Sequence, residues 1–521
     1  MRRTASILLL TSLLSPLAPL AAQSVDLEMV SRIREEGLRH SQAVEVAEYL
    51  TDVIGPRLTG SPSLKQANEW TRKKLEEWGL SNSHLEGYEF GRGWTFSRSA
   101  VHMIRPQATP VFALPKAWTP GTDGPVRGQV MRVDIKSEAD FEKYRGKLAG
   151  KILFVEGPKD LSFAEAEPRR FTDPQLDELV PYEIPADPQD RSEALRRWNL
   201  RKPVLDFMTQ EKVLATVDAS SRGWGIIRVG RGGSYKPGEN TGPLALVMAA
   251  ESYNRILRLL DKGQEVELEI DVKADFLDDD LNAYNTVAEI PGTDKKDEIV
   301  MVGAHLDSWH GATGATDNAA GVAIMMEAMR ILKALDIKPR RTIRIALWTG
   351  EEQGLDGAEA YVAKNFGYHK DPKDPQQRDL PSYMRTDWGE LVTRPGHSKL
   401  SAYFNMDNGT GKVRGIYAQS NSAVVPIFES WLEPLHDLGA TTVTLRDTGA
   451  TDHVPFDRAG LPAFQFIQDE IDYTAKTHHT NVDTFDHLEP ADLKQAAVVV
   501  ANFLYNTAMR SEKLPRKALP K

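Results

Sequence analysis

From about residue 284 onward, the chain alternates between mostly apolar runs and amphipathic stretches. The continuous apolar run at 299–304 predicts a strand buried on both faces, and the runs at 342–348, 400–406 and 463–467 predict further strands. Apolar residues at helical spacing predict helices at 318–335, 356–365 and 491–509. Because strands alternate with helices, we predict an α/β fold with a mixed, mostly parallel central sheet and helices on both faces.

Residues 120–275 have a different pattern. Short β-like runs at 129–133, 151–155 and 266–270 are separated by stretches rich in proline, glycine and aspartate. The glycine-rich stretch 220–243 predicts surface loops. We therefore predict that 120–275 is an inserted, mainly β domain. A length of 521 residues also favours more than one domain.

The first 22 residues have the pattern of a secretory signal peptide. Arg2 and Arg3 give a positive start, an apolar run follows at 7–20, and Ala21-Ala22 offer a cleavage site. The run is too short and too interrupted for a membrane span. We therefore expect a secreted or periplasmic protein that is cleaved before Gln23.

Charge and cysteine content narrow the function classes. A net charge of −10 gives no indication of a nucleic-acid surface. The basic cluster 338–341 precedes a predicted strand, and we interpret it as a solvated connection. The absence of cysteine excludes disulfides and thiolate metal ligands.

Histidines and carboxylates follow the predicted strands at the points where those strands end. His305 and Asp307 come directly after the first strand, and Asp317 follows across a short glycine-containing loop. Glu351 and Glu352 follow the second strand. Sites in open α/β sheets lie at the carboxyl ends of the strands, so we expect these side chains at one edge.

Further candidates come later in the chain. Asp407 follows the third strand, and the pair His478–His479 precedes an Asp-Thr dipeptide at 483–484. The stretch Thr451-Asp452-His453 either lines the same cleft or forms a turn with local hydrogen bonds. Taken singly, each candidate has an ordinary explanation, such as a helix N-cap or a polar turn.

Together, these residues supply two histidines, three carboxylates and a spare glutamate. Mixed nitrogen and oxygen ligands suit zinc, although manganese and cobalt accept the same donors. Asp307 lies on the same side of its strand as His305, so it either coordinates metal or holds the second ring nitrogen of His305.

These motifs, in this order and spacing, resemble those of the di-zinc aminopeptidase family typified by bacterial leucyl aminopeptidase. Within that family the chain is most similar to the plasma glutamate carboxypeptidase, or carboxypeptidase Q, branch. The segment 52–61, with the sequence DVIGPRLTGS, is typical of the branch. The resemblance covers nearly the whole chain after the signal peptide.

The resemblance implies two zinc ions per chain, held by five residues. His305 and Asp407 would hold one ion, Glu352 and His479 the other, and Asp317 would bridge them. His479 is preferred over His478 because the family pattern is a histidine followed directly by Thr or Ser. Glu351 would be the general base, and Asp307 the partner of His305.

The resemblance also implies a domain division. Residues 1–22 would be the signal peptide, 23–119 the N-terminal part of the peptidase domain and 120–275 a protease-associated insertion. Residues 276–510 would be the catalytic domain, and 511–521 a C-terminal tail.

We expect a secreted zinc exopeptidase that removes single residues from peptide ends, in the first place as an aminopeptidase. A carboxypeptidase Q-like dipeptidase is the alternative, for which Arg446, Arg458 and Lys476 are candidate partners of a substrate carboxylate. A non-enzymatic ectodomain and a one-zinc cyclase acting on N-terminal glutamine would share this fold, but the complete ligand set argues against both. A peptide is the expected partner, with no nucleic acid and no membrane span, and self-association as a homodimer is compatible with this interpretation.

Overall fold

The computed structural model describes residues 25–161, 169–183, 192–378 and 380–518. The predicted signal peptide at 1–22 lies outside the described residues.

The first of two large sheets has eight strands. Their spatial order is Ser81–Glu89, Asn282–Ile290, Arg341–Trp348, Lys295–His305, Leu400–Asn405, Ala463–Gln468, Val413–Tyr417 and Thr442–Thr444. The four strands from Arg341–Trp348 to Ala463–Gln468 are mutually parallel, and antiparallel pairs flank them. The prediction of a mixed, mostly parallel sheet is therefore confirmed.

Helices cover both faces of this sheet because its central strands are apolar on both sides. Val300 and Val302 face the helices Ala320–Ala334 and Pro490–Met509, against which the helix Leu27–Arg39 packs. Met301, between them, faces the helices Asp356–Asn365 and His453–Arg458. The remaining α-helices of the described residues are Ala43–Glu48, Pro62–Glu77, Phe141–Tyr144, Asp173–Asp177, Ser192–Gln210, Ala250–Asp261, Glu351–Gly354, Pro375–Arg378 and Val425–Leu432.

The second large sheet also has eight strands and its own core. Their order is Thr109–Val111, Gly93–Arg105, Glu267–Leu277, Val126–Arg132, Ile152–Phe154, Ala215–Ala219, Leu244–Met248 and Ala113–Pro115. The domain division at residues 120 and 275 stays a prediction, and this sheet includes strands from both sides of residue 120. A small two-stranded sheet joins Gly367–His369 to Leu391–Thr393.

Two predictions of exposed segments differ from the structure. Within the stretch 220–243, Ile227 and Val229 are buried. They are buried because the segment pairs with residues 479–481, through the Val229 N–H to the His479 carbonyl oxygen at 2.9 Å and the Asn481 N–H to the Ile227 carbonyl oxygen at 3.0 Å. In the basic cluster 338–341, Arg341 is fully buried, where Glu298 and main-chain oxygens accept its hydrogen bonds.

Among the described residues, no helix combines the length and the apolar character needed to cross a bilayer.

Candidate active site

The carboxyl ends of three parallel strands bring the predicted site residues to one edge of the first sheet. His305 is the last residue of its strand. Glu351 and Glu352 open the short helix that follows Arg341–Trp348. Asp407 lies two residues beyond Leu400–Asn405. The sheet topology therefore brings together residues that are about a hundred positions apart in sequence.

Asp317 lies between two histidines. Its Oδ1 atom is 3.3 Å from Nε2 of His305, and its Oδ2 atom is 3.4 Å from Nε2 of His479. The Nε2 atom of His305 is also 3.3 Å from Oδ1 of Asp407. The Nε2 atom of His479 is 3.0 Å from Oε2 of Glu352. Each histidine thus faces Asp317 and one further carboxylate.

The adjacent His478 lies farther from this cluster. Its Nε2 atom is 4.0 Å from Oδ2 of Asp317, against 3.4 Å for His479. The backbone of His479 has φ of 62°, a conformation that non-glycine residues rarely adopt and that is often found at functional sites. Nδ1 of His479 lies 3.3 Å from Nη2 of Arg228.

Several atoms of the cluster are buried without a hydrogen-bond partner, among them His305 Nε2, Asp317 Oδ2 and Glu352 Oε1. Buried polar atoms without partners are unfavourable, and buried like charges repel one another. Three overlapping groups of residues could each hold a metal ion, because the ligand atoms within each group lie within 4.8 Å of one another. The groups are His305 with Glu351 and Asp407, His305 with Asp317 and Glu352, and Asp317 with His478 and His479. Imidazole and carboxylate donors at this spacing fit zinc.

Burial and charge shift the acid–base properties of these groups. Burial raises the pKa of Glu351 and that of Glu352 well above their usual range, and neighbouring carboxylates raise them further. Burial lowers the pKa of His479 to about 4. For His305, burial acts to lower the pKa, but the carboxylates around it hold that pKa well above its usual range. His479 is therefore neutral at physiological pH, which leaves a ring nitrogen able to bind metal.

Asp307 contacts the site in a way that its spacing alone did not reveal. The Nδ1 atom of His305 is 3.0 Å from the main-chain oxygen of Asp307 and 3.6 Å from its carboxylate. That carboxylate instead accepts hydrogen bonds from the main-chain N–H groups of Glu351 and Glu352, at 3.4 and 3.3 Å. Asp307 thus holds both the histidine and the start of the helix that carries the two glutamates.

Two residues of the segment 52–61 position the loop 306–314, a role that their place in the sequence did not indicate. The Thr59 hydroxyl donates to Asp307 at 2.9 Å and accepts from the Gly350 N–H at 3.1 Å. The Arg57 guanidinium is fully buried and donates to main-chain oxygens at both ends of the loop 306–314. In the sequence, only the motif at 52–61 as a whole indicated that these two residues matter for function.

Asp483 and Tyr473 also contact predicted ligands. The Asp483 carboxylate accepts from the N–H groups of Thr316 and Asp317, at 2.7 and 3.2 Å, and so fixes the turn that presents Asp317. The Tyr473 hydroxyl donates to Asp407 at 3.4 Å.

A cavity of about 550 Å³ opens directly onto the cluster. Its wall includes Asp317, Glu351, Glu352, Asp407 and His479, together with Arg231, Trp309, Gln353, Gly449, Ala450, Tyr473 and His478. The loop before Asp452 thus lines the cleft through Gly449 and Ala450. Asp452 itself is fully buried, and neither of its carboxylate oxygens has a hydrogen-bond partner.

The three cations predicted for a substrate carboxylate bind elsewhere. Arg446 pairs with Glu183 at 2.9 Å, Arg458 with Glu359 at 2.9 Å, and Lys476 with Asp472 at 2.9 Å. None of them belongs to the described lining of the cavity. That prediction, which rested on proximity in sequence, is wrong.

Known proteins are similar to this chain in sequence and in fold. The sequence profile described as Peptidase family M28 matches residues 285–504, which contain all of the predicted ligands. Carboxypeptidase Q from Mus musculus is 27% identical over 481 residues, covering 92% of this chain and 88% of that protein.

Two solved structures have similar folds. The Peptidase M28 precursor from Shewanella amazonensis aligns with a TM-score of 0.67 and 23% identity, over 95% of this chain and 98% of that one. BSAP, a zinc aminopeptidase from Bacillus subtilis, aligns with a TM-score of 0.58 and 16% identity, over 92% and 98%. The predicted α/β exopeptidase fold is confirmed. Residues 285–504 therefore match a peptidase domain of family M28, and the chain is a metallo-exopeptidase.

Proposed function

We propose that this chain is an exopeptidase that holds two zinc ions. His305 and Asp407 would bind one ion, Glu352 and His479 would bind the other, and Asp317 would bridge them. The observation that carries the proposal is the position of Asp317, whose two carboxylate oxygens face different histidines at 3.3 and 3.4 Å. One carboxylate between two sets of ligands is the arrangement that dinuclear hydrolases use.

When bound, two zinc ions would lower the pKa of a water and offset the negative charge that develops on the substrate carbonyl oxygen. Glu351 would accept the proton of the attacking water and deliver it to the leaving amine. Its burial supports this role, since a raised pKa helps a carboxylate to retain a proton until the amine departs. Asp307 would keep Glu351 in position through its main-chain N–H.

The segments around this site complete the proposal. We infer that residues 1–22 direct export and that 120–275 form a protease-associated domain, on the sequence patterns described above. The paired segments 227–229 and 479–481 support a role for that domain in shaping the cleft.

Two exopeptidase activities differ in which end of the peptide substrate the enzyme recognises. An aminopeptidase recognises the free amine, whereas a carboxypeptidase Q-like dipeptidase also recognises a free carboxylate. The similarity to carboxypeptidase Q along 92% of the chain favours the second activity.

The substitution Glu351→Gln tests the assignment of the base. We expect this variant to bind about two zinc ions per chain but to lose turnover by a factor of about 10³ or more, because the amide cannot accept the proton. Metal content by atomic emission and hydrolysis of a dipeptide and of Leu-para-nitroanilide, before and after chelation, provide the measurement.

Glu352→Gln is the matched control, since it changes the neighbouring residue in the same way. We expect this variant to lose zinc as well as activity. Loss of zinc from Glu351→Gln would show that Glu351 is a ligand, and a metal-free wild type without activity after zinc addition would refute the proposed function.

A further inference from the structure

Arg231 is a cation in the wall of the active-site cavity. Among the described residues that line this cavity, it is the sole lysine or arginine. Its backbone is held at both sides by Ala117, whose N–H donates to the Gly230 oxygen at 3.0 Å and whose oxygen accepts from the Gly232 N–H at 3.0 Å. The backbone on both sides of Arg231 is therefore held by the segment that follows the strand Ala113–Pro115.

The guanidinium of Arg231 has no carboxylate partner among the described residues. Its carbon lies 5.5 Å from the centre of the Tyr235 ring, and no carboxylate oxygen of the described residues lies within 4.0 Å of its nitrogens. The other arginine candidates, Arg446 and Arg458, are both neutralised by glutamates. An arginine that borders a cleft without a counter-ion is available to an anionic group of a ligand.

The carboxylates in the cavity wall, by contrast, already have roles in the proposed function. The carboxylates in its described lining are Asp317, Glu351, Glu352 and Asp407, to which the proposed function assigns the metal ions and the proton transfer. No further carboxylate of this lining remains to bind the ammonium group of a substrate. The wall therefore offers an arginine without a carboxylate partner to a substrate carboxylate, but no further carboxylate to a substrate amine.

We propose that Arg231 binds the terminal carboxylate of short peptide substrates and so determines that this enzyme prefers peptides with a free carboxyl end. Arginine suits this role because its planar group donates two parallel hydrogen bonds to a carboxylate. A volume of about 550 Å³ is in the range of small-ligand sites, which fits a dipeptide better than a long chain. Arg231 also borders a second cavity, of about 350 Å³, so it lies in the wall between the two. This inference rests on the proposed exopeptidase function.

The test compares the dipeptide Ala-Leu with its carboxyl-terminal amide, Ala-Leu-NH₂, as substrates of the zinc-loaded enzyme. We expect the wild type to prefer the free acid. Arg231→Ala should lower kcat/KM for the acid by about 10- to 100-fold, mainly through KM, because it removes a charge-assisted contact. For the amide the change should be less than about threefold. Arg231→Lys keeps the positive charge but not the planar guanidinium. Its kcat/KM for the acid should therefore lie between those of the wild type and of Arg231→Ala.

Lys236→Gln is the matched control, because it removes a charge from an exposed position of the same segment, outside the cavity. It should leave both substrates unaffected, and zinc content should be equal in all variants. An equal loss on acid and amide, no loss on either, or a wild-type preference for the amide would overturn the role of Arg231. Hydrolysis of neither substrate by the zinc-loaded wild type would instead overturn the proposed function itself.

Discussion

At the scale of single residues, Arg57 shows how a buried cation stabilises the active-site loop. All five hydrogen bonds of its guanidinium go to main-chain oxygens, those of residues 50, 55, 306, 313 and 314. Burial lowers its pKa to about 10, so it remains charged at neutral pH. The charge is offset by the carboxylates of Asp307, Asp317 and Asp483 nearby. Arg57 therefore links the N-terminal segment to both ends of the loop that precedes Asp317.

We expect Arg57→Lys to reduce the free energy of unfolding by about 2–5 kcal/mol. A lysine ammonium cannot reach five oxygens at once, and each buried oxygen left without a donor is costly. Urea unfolding followed by tryptophan fluorescence measures the effect. The control is Arg98→Lys, at a side chain that is 59% exposed, where a change within about 0.5 kcal/mol is expected. Equal stability of the two variants would contradict this account of Arg57.

At the scale of elements, the start of the helix Ala320–Ala334 connects two of the proposed ligands. Asn318 accepts a hydrogen bond from the Gly321 N–H at 3.0 Å and donates one to the Met406 oxygen at 2.9 Å. It thereby ties the turn that carries Asp317 to the residue before Asp407. Gly321 permits this contact because a Cβ atom there would lie 2.3 Å from Asn318 Oδ1 and 2.8 Å from the Met406 oxygen.

We therefore expect Gly321→Ala to weaken zinc binding by about 10- to 100-fold, the usual effect of disturbing a residue that supports metal ligands. The added methyl group must displace Asn318 or the Met406 backbone, and either movement shifts a proposed ligand. Competition with a fluorescent zinc chelator measures the affinity. In Gly157→Ala the nearest atom to the new Cβ is the end of the Arg132 side chain at 3.8 Å, so this variant should bind zinc normally. Unchanged affinity in Gly321→Ala would refute the link.

The central elements were predictable because their signal is local. Strands buried on both faces are apolar at nearly every position, and the prediction for 463–467 agrees with Ala463–Gln468. The helix predicted at 356–365 agrees with Asp356–Asn365. The loops were less predictable, since the burial of Ile227 depends on pairing with residues some 250 positions away.

For the site, residue type and position at strand ends identified the cluster that the structure brings together, and its assignment as a ligand set stays a prediction. The residues that hold the site in place were not predictable, because they act through long-range contacts to main-chain atoms. Arg57 contacts a loop about 250 positions away, and Asp307 contacts His305 through its backbone rather than its side chain. Proximity in sequence likewise pointed to Arg446 rather than Arg231, because nothing in the sequence shows which arginines already have acidic partners.

At the scale of the whole molecule, the proposed ions would act on stability as well as on catalysis. The site places the carboxylates of Asp307, Asp317, Glu351, Glu352, Asp407 and Asp452 together at one buried or half-buried edge of the sheet. With no cysteine, the chain has no disulfide to compensate for their repulsion. Arg57 offsets part of this charge and bound cations would offset more, so zinc binding and folding should be coupled.

We expect removal of zinc to lower the thermal midpoint Tm by about 5 °C or more. A ligand present at about 100 times its Kd adds about 2.7 kcal/mol to the free energy of unfolding, and each kcal/mol shifts Tm by about 2–4 °C in domains of roughly 200 residues. Differential scanning calorimetry of the chelated and zinc-loaded protein gives the difference. Asp317→Asn, which changes the proposed bridge without changing its size, should have a similar Tm in both states. An equal Tm for chelated and loaded wild type would contradict the coupling, whereas a full zinc-dependent shift in Asp317→Asn would show that the stabilising ions bind without the proposed bridge.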